Sequence, residues 1–436
     1  VGQLDRRHPL GHHHHGGVGP AGAPQAGQDL LFHHRVDGRG GVVEQQQAGA
    51  PQQGPGQGQE LGLAGRQAHP GPVVVPVVGG QAGVEPVGQA VDPRRYFESV
   101  DAKRSQTAER MPVCVYLETT NRCNLLCTTC PRTYAELEPP ADMSWALFTS
   151  IVDQIPNLER AVLHGVGEPM LVKNLPKMVR YLKDRGTYVL FNTNGTVLND
   201  RNGRALIDAG LDELRVSLDA SNAESFLAIR GADFFNRILR NVRRFRELQV
   251  REGHERPRVS AWLTGLKETI TELPAFVRVA ADIGVKEVYL QRLVYFENDS
   301  IGNARPDQAL FEQMTADEAV YIDEAAALAR SLGMSFSASG AASEPGMSLT
   351  RASDGSPWSL CRRPWSVMYF TANGRALPCC IAPFSQRGYE NYTLGDATQQ
   401  TLREIWDGPG YLSFREALLS DQPPTACANC GLRWSL

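Results

Sequence analysis

Cys123, Cys127 and Cys130 are the residues of this chain best suited to chemistry: three thiols in C-x3-C-x2-C spacing, on a loop that directly follows a strand-like run. Soft thiolates this close favour an iron–sulfur cluster, and an odd number leaves one iron of a cubane without a protein ligand. The competing use is a zinc knuckle. Zinc takes four closed ligands, and neither a histidine nor a fourth cysteine follows Cys130 before His164. Cys114 differs: inside the apolar run Val113 to Leu117 it reads as a buried, inert thiol. Further along stands Gly165-Val166-Gly167-Glu168-Pro169, where glycines let the backbone approach a ligand and a carboxylate could pair with an ammonium group. A second group of thiols, Cys361, Cys379 and Cys380 with Cys427 and Cys430 in C-x2-C spacing, flanks an expected hairpin and reads as a second metal site. Four thiolates there serve either a cluster or a structural zinc.

The elements around these residues must position them. From Met111 onward strand-like and helix-like segments alternate, the pattern of a parallel α/β sheet. Strands are expected at Val113–Glu118, Arg160–His164, Tyr188–Phe191, Glu213–Leu218, Val259–Leu263 and Glu287–Arg292. Helices are expected at Ser144–Ile155, Leu175–Lys183, Glu272–Ile283 and Asp317–Leu332. A further helix has Phe235, Ile238, Leu239, Val242, Phe245 and Leu248 on its buried face and a run of arginines elsewhere, which reads as a solvated surface. Open α/β sheets place their sites at the C-terminal ends of the strands, where the cysteine loop, the 165–169 loop and Asn192-Thr193-Asn194-Gly195 all fall. Strand alternation puts Arg215, Ser217 and Asp219 on one face. Asp219 reads equally as a ligand or as the cap of the next helix. His164 reads as a packed histidine, and Trp262, Gln291 and Arg292 as candidates for the mouth. In the second thiol group, neighbours on a strand point oppositely, so Cys380 reads as the spare beside Cys379.

On these motifs the chain resembles the radical S-adenosylmethionine (radical SAM) superfamily. The resemblance implies a partial (β/α)6 barrel and a first [4Fe-4S] cluster on Cys123, Cys127 and Cys130. Its open iron would be chelated by S-adenosylmethionine (AdoMet), which is cleaved to a 5'-deoxyadenosyl radical. It further implies cofactor contacts from Gly165, Val166, Gly167 and Glu168, from Asn194 and Ser217, and from Arg230 to the cofactor carboxylate; the alternative for Arg230 is a surface salt bridge. Thr129 stands where many members carry an aromatic residue beside the adenine. Cys361 to Cys430, with Gly374-x4-Cys379, resembles the SPASM/twitch extension. Full SPASM domains need further cysteines, absent before Leu436, so the resemblance implies one auxiliary [4Fe-4S] cluster on Cys361, Cys379, Cys427 and Cys430, acting as electron acceptor. Implied partners are a flavodoxin or ferredoxin reductant and either a small alcohol or aminocyclitol substrate to be oxidised, or a peptide to be oxidised or crosslinked. A non-catalytic electron-transfer protein is the reading from another class.

Composition sets the frame. A net charge of −4 over 436 residues offers no electrostatic footprint for nucleic acid or an anionic membrane. Nine clustered cysteines point to metal sites in a reducing compartment, and neither a membrane span nor a signal peptide is legible, so a cytoplasmic location is expected. Residues 1–110 are rich in Gly, Gln, Pro, His and Val and hold eight of the ten histidines. They lack the periodicity and apolar content to offset their ordering entropy and are expected to be disordered, with a composition that reads as translation from upstream of the true start. The expected organisation is therefore this segment, a barrel over 111–340 and an auxiliary-cluster domain over 341–436.

Overall fold

In a computed structural model, the structure describes residues 104–135, 137–293, 304–310, 314–338, 358, 361–385 and 392–428. The expectation for 1–110 thus lies almost wholly outside the described residues. Its last seven residues are described, and they are packed: Trp365 Nε1 donates to the Ser105 carbonyl (2.6 Å), Trp406 Nε1 to that of Arg110 (2.8 Å), and Arg104 to that of Cys361 (3.1 Å). The folded chain is therefore under way by Arg104, ahead of Met111.

The described strands form one sheet. Its parallel part comprises β1 (Cys114–Leu117), β2 (Arg160–Val162), β3 (Tyr188–Thr193), β4 (Glu213–Ser217), β5 (Arg258–Gly265), β6 (Glu287–Arg292) and β7 (Ser335–Ala338), paired in chain order. The six expected strands are present, and each edge carries more. Beyond β6 lies β7; beyond β1 lies β8 (Val367–Phe370), parallel to it, followed by the antiparallel β9 (Arg375–Leu377) and β10 (Gly395–Asp396). The C-terminal extension thus continues the sheet rather than standing apart from it.

Register explains how the sheet builds a site. Val115, Ala161, Val189, Phe191, Leu214, Val216, Ala261, Leu263, Val288 and Leu290 share one face and are all buried in the main core. The alternate residues include Asn192, Arg215, Ser217, Trp262, Thr264 and Gln291 and face the other way. Parallel strands covered on both faces read as continuous apolar runs; this alternation marks a sheet with one greasy face and one polar face. The deep end of the polar face is closed by ions: Glu213 pairs with Arg215 (2.7 Å) and Arg258 (3.2 Å), and Arg258 with Glu287 (3.3 Å).

Helices cover the apolar face. They are α1 (Trp145–Asp153), α2 (Leu175–Lys183), α3 (Asp200–Ala209), α4 (Ala223–Arg230), α5 (Phe235–Glu252), α6 (Leu273–Asp282) and α7 (Ala316–Ser331), with α8 (Leu402–Trp406) and α9 (Pro409–Leu418) in the extension. Start signals are local: Ser144, Asn199 and Asn222 cap α1, α3 and α4, and Thr315 with Glu318 forms a capping box on α7. In the extension, buried Arg415 donates to the carbonyls of Pro364 (2.8 Å) and Trp406 (2.9 Å), tying α9 to the segment that leads into β8.

Candidate active site

The cysteine loop leaves β1 and is held from three sides. Asn121 accepts from Ala141 N–H (2.7 Å), and Thr120 donates to Asp142 (2.7 Å). Thr128 N–H donates to the Ile229 carbonyl of α4 (2.8 Å), and Thr133 to that of Cys127 (2.9 Å). On the third side Asn194 donates to Asn124 Oδ1 (2.9 Å), Asn124 to Thr196 (2.9 Å), and Asn194 Oδ1 accepts from the Thr196 hydroxyl (2.7 Å). One end of the Asn194 amide therefore reaches the cysteine loop at Asn124 while the other is fixed by Thr196 of its own loop, which makes this residue a strut for the cysteine loop. Arg230, at the end of α4, lies inside the protein: it pairs with buried Asp219 (2.5 Å) and points Nη1 at Cys127 Sγ (3.4 Å). The surface salt bridge is replaced by a buried one. Asp219 takes up a left-handed backbone (φ 58°), which Asp tolerates better than most residues, and also accepts from Thr264 N–H (2.7 Å).

Two glycines of the 165–168 loop owe their identity to the protein's own packing. A Cβ on Gly167 would overlap the Thr120 carbonyl, and one on Gly165 would overlap the Glu118 carboxylate and lie 2.5 Å from Tyr369 Oη. Close approach was expected toward a ligand; here it is toward the cysteine loop and the C-terminal extension. Glu168 N–H donates to the Arg122 carbonyl (2.8 Å), while its carboxylate accepts from Thr193 Oγ1 (2.6 Å), Asn194 N–H (2.7 Å) and Met170 N–H (3.1 Å). Burial raises the Glu168 pKa against these donors. The motif thus locks the ends of β2 and β3 to the cysteine loop.

Cys123, Cys127, Cys130, Gly165, Val166, Gly167, Glu168, Asn194, Ser217 and Arg230 all line one cavity of about 270 Å³ at the C-terminal ends of the strands. His164 and Gln291 join them. Trp262 does not line it and instead stacks on Tyr289 (4.1 Å) beneath Arg215; the Arg292 side chain lies outside the described ones. His164 accepts from Asn192 N–H (3.1 Å) through Nδ1, and burial, with Arg215 and Arg160 nearby, depresses its pKa to about 3. Sequence reasoning missed Glu118, Asn124, Arg132 and Thr196, and the wall given by Tyr369, Cys380, Ile381 and Phe384. The polar residues at the strand end and in the cysteine loop were visible signals. The C-terminal wall had none, because it is brought in by a pairing across 250 residues.

The donor set suits an iron–sulfur cluster with an organic partner. Burial raises the Cys123 pKa and pushes that of Cys130 up to about 12, and a metal bound there would favour the thiolate forms. Beside them Arg230 Nε, Arg132 Nε and Asn192 Oδ1 are buried without hydrogen-bond partners on the cavity wall, as polar groups facing an absent polar ligand would be. No three His, Cys, Asp or Glu side chains among the described residues are grouped to hold a single metal ion.

In the extension, Cys361 and Cys379 share the electrostatic surroundings of buried Arg363 with Cys380. Cys379 and Cys380 lie beyond β9 in a bend and a turn, so strand alternation does not choose between them. Cys427 begins no strand either; it lies in a helical turn, and Cys430 is outside the described residues. No helix among the described residues is long and apolar enough to cross a membrane.

Fold and site together define an α/β protein with three cysteines on one cavity at the mouth of a parallel sheet. The Radical SAM superfamily profile matches residues 117–280, and that of the iron–sulfur cluster-binding SPASM domain matches 361–431. The chain belongs to the radical SAM superfamily and carries a C-terminal SPASM-type domain. Its cofactors are accordingly an AdoMet-binding [4Fe-4S] cluster, AdoMet itself and auxiliary iron–sulfur. Among curated proteins it is 24% identical over 332 residues to the tungsten-containing aldehyde ferredoxin oxidoreductase cofactor-modifying protein of Pyrococcus furiosus, covering 73% of this chain and 87% of that one. It is 26% identical to Fe-coproporphyrin III synthase of Methanosarcina barkeri over 43% of this chain and 45% of that one. Among solved structures, Streptococcus suis SuiB bound to S-adenosylmethionine superposes with a TM-score of 0.54 at 15% identity, covering 70% of this chain and 68% of that one.

Proposed function

We propose that this enzyme oxidises a small hydroxylated molecule of the alcohol or aminocyclitol kind by hydrogen-atom abstraction. The observation that carries this reading is the shared cavity: the cysteines, the 165–168 loop and Arg230 converge on it, and beside Arg132 and the Arg230-paired Asp219 its remaining wall offers Asn192, Thr264 and Gln291, uncharged side chains suited to hydroxyl groups. In this reading Cys123, Cys127 and Cys130 hold the first cluster. The backbone of Gly165 to Glu168 would bind the amino group of AdoMet, Arg230 its carboxylate and Ser217 its ribose, while Asn194 keeps the cysteine loop in place. When bound, the cofactors supply one-electron cleavage of the sulfonium and with it a hydrogen-abstracting radical. The chain's own part is to bind and orient, and to keep water out: Ile381 and Phe384 present apolar surface over the cavity. His164 is held neutral on the wall, with Nδ1 fixed as an acceptor. Cys361, Cys379, Cys427 and Cys430 would hold the auxiliary cluster as electron acceptor, and a flavodoxin or ferredoxin would deliver the first electron.

Peptide oxidation is the second reading, since SuiB is also solved with its precursor peptide SuiA. The sequence match over 73% of this chain and 87% of its relative, a protein named for modifying a cofactor, supports a small non-peptide target instead. The test is anaerobic reconstitution of the full chain, with iron analysis, electron paramagnetic resonance and assay of 5'-deoxyadenosine, beside the Cys123/Cys127/Cys130→Ala variant. About eight irons falling to about four, with AdoMet perturbing only the wild-type signal, is expected. About four falling to none, with zinc retained, would make the C-terminal site structural. Absence of 5'-deoxyadenosine from reduced protein would return the chain to the electron-transfer class.

A further inference from the structure

Glu118 is a buried carboxylate that the chemistry above does not use. It directly follows β1 and is 3% exposed. Its Oε2 accepts from Val166 N–H (2.9 Å) and from the Tyr369 hydroxyl (2.8 Å), and its Oε1 from Ala372 N–H (3.2 Å). It forms no ion pair among the described residues, and burial raises its pKa to about 7. Its backbone N–H also donates to the Phe370 carbonyl (2.9 Å), extending the β1–β8 ladder.

These partners come from two places that chemistry treats separately. Val166 belongs to the 165–168 loop on the cofactor side of the cavity. Tyr369 lies within β8 and Ala372 in the turn before β9, the strand that leads to Cys379. The junction is packed so closely that Gly165 has no room for a methyl group between the Glu118 carboxylate and Tyr369 Oη. One side chain thus ends hydrogen bonds from both segments, and the backbone of each is shaped to reach it.

We propose that Glu118 is a positioning residue that latches the β8–β9 turn to the 165–168 loop, so that AdoMet affinity depends on how the C-terminal extension is seated. The proposal rests on the cofactor reading above for its ligand. The latch itself needs no ligand. A buried acceptor with three donors and no cation has no better partner to turn to, so replacing it affects both segments together.

The test uses the anaerobically reconstituted full chain and its Glu118→Gln variant. The amide keeps the shape but presents a donor to at least one of three donors. Hydrogen exchange should accelerate at 165–168 and at 369–377 together, with β4 to β6 unchanged. Iron content should stay at the wild-type value, because no cysteine is touched, and AdoMet titrated against the cluster's paramagnetic signal should bind about tenfold more weakly. Tyr369→Phe, which removes one donor and leaves the carboxylate, should move the same two segments less, and it supplies the exchange reading should Glu118→Gln fail to fold. Acceleration in one segment or in neither, for whichever variant folds, overturns the latch. Acceleration in both with unchanged AdoMet affinity overturns the positioning role. A wild-type protein that binds no AdoMet would defeat the functional reading while the exchange result still decided the latch.

Discussion

Single residues of this site are tuned by burial and by the charge beside them. Because burial, Arg215 and Arg160 all disfavour its protonated form, His164 should give imidazole resonances of a neutral ring throughout pH 5.5 to 8.5, assigned by their loss in His164→Gln. A signal that titrates near the usual histidine value of about 6.5 would contradict the environment described. The linked stability has a definite sign. The folded pKa lies below the unfolded one, so the contribution is complete above about pH 6.5 and is lost as the pH falls toward 3. Arg230 carries a different load. Arg230→Ala would leave Asp219 charged and buried, and should cost about 3 kcal/mol of stability by denaturant unfolding, whereas Asp219→Asn with Arg230→Met, which removes both charges, should cost less.

At the scale of elements, the loops after β1 and β2 interlock, and their glycines are where the interlock can be broken. Gly167→Ala drives a methyl into the Thr120 carbonyl, and backbone cannot step aside as a side-chain tip would. It should abolish the AdoMet-induced change in the cluster signal and lower the unfolding midpoint. Gly253→Ala at the end of α5 is the control: its φ is +70°, but nothing lies within 4 Å of the added methyl, so only the backbone preference of about 1 kcal/mol should be lost. Equal effects of the two substitutions would show that the tight approach at Gly167 is unimportant. The β strands carry the complementary lesson. Their alternation is visible in sequence, but β3 and β5 run further than the apolar letters suggest, because Asn192 and Thr193 pair with Arg215 and Val216, and Thr264 and Gly265 with Gln291 and Arg292.

At the largest scale, the described strands form one sheet in which the extension serves as the neighbour of the first strand. All described residues fall within a single compact unit. Removing everything after residue 358 would leave the outer edge of β1 unpaired along its length, with only β2 beside it, and uncover the buried cluster of Cys114, Tyr116, Val162 and Leu190 that β8 closes with Val367 and Tyr369. Such a truncation should aggregate or lose iron at the first cluster as well as at the second, measured as soluble yield and iron per chain. A soluble fragment that retains about four irons would show that the barrel stands alone.

Sequence by itself determined the chemistry-bearing residues and the order of the elements. Thiol spacing, glycine beside glutamate, and strands alternating with helices are local properties, readable because each reflects what a few neighbouring residues can bond or bury. It was also enough to bring ten dispersed residues to one list, and they do line one cavity. Tertiary structure decided why each is there. Asn194 is a strut because Asn124 and Thr196 meet it, Gly165 is bare because Glu118 and Tyr369 fill its side, and Arg230 is buried because Asp219 stands opposite. The cavity's C-terminal wall was legible in no local pattern. It depends on β8 pairing with β1 across the length of the fold, an interaction whose partners are strangers in sequence and whose energy is shared among backbone bonds that every residue can make.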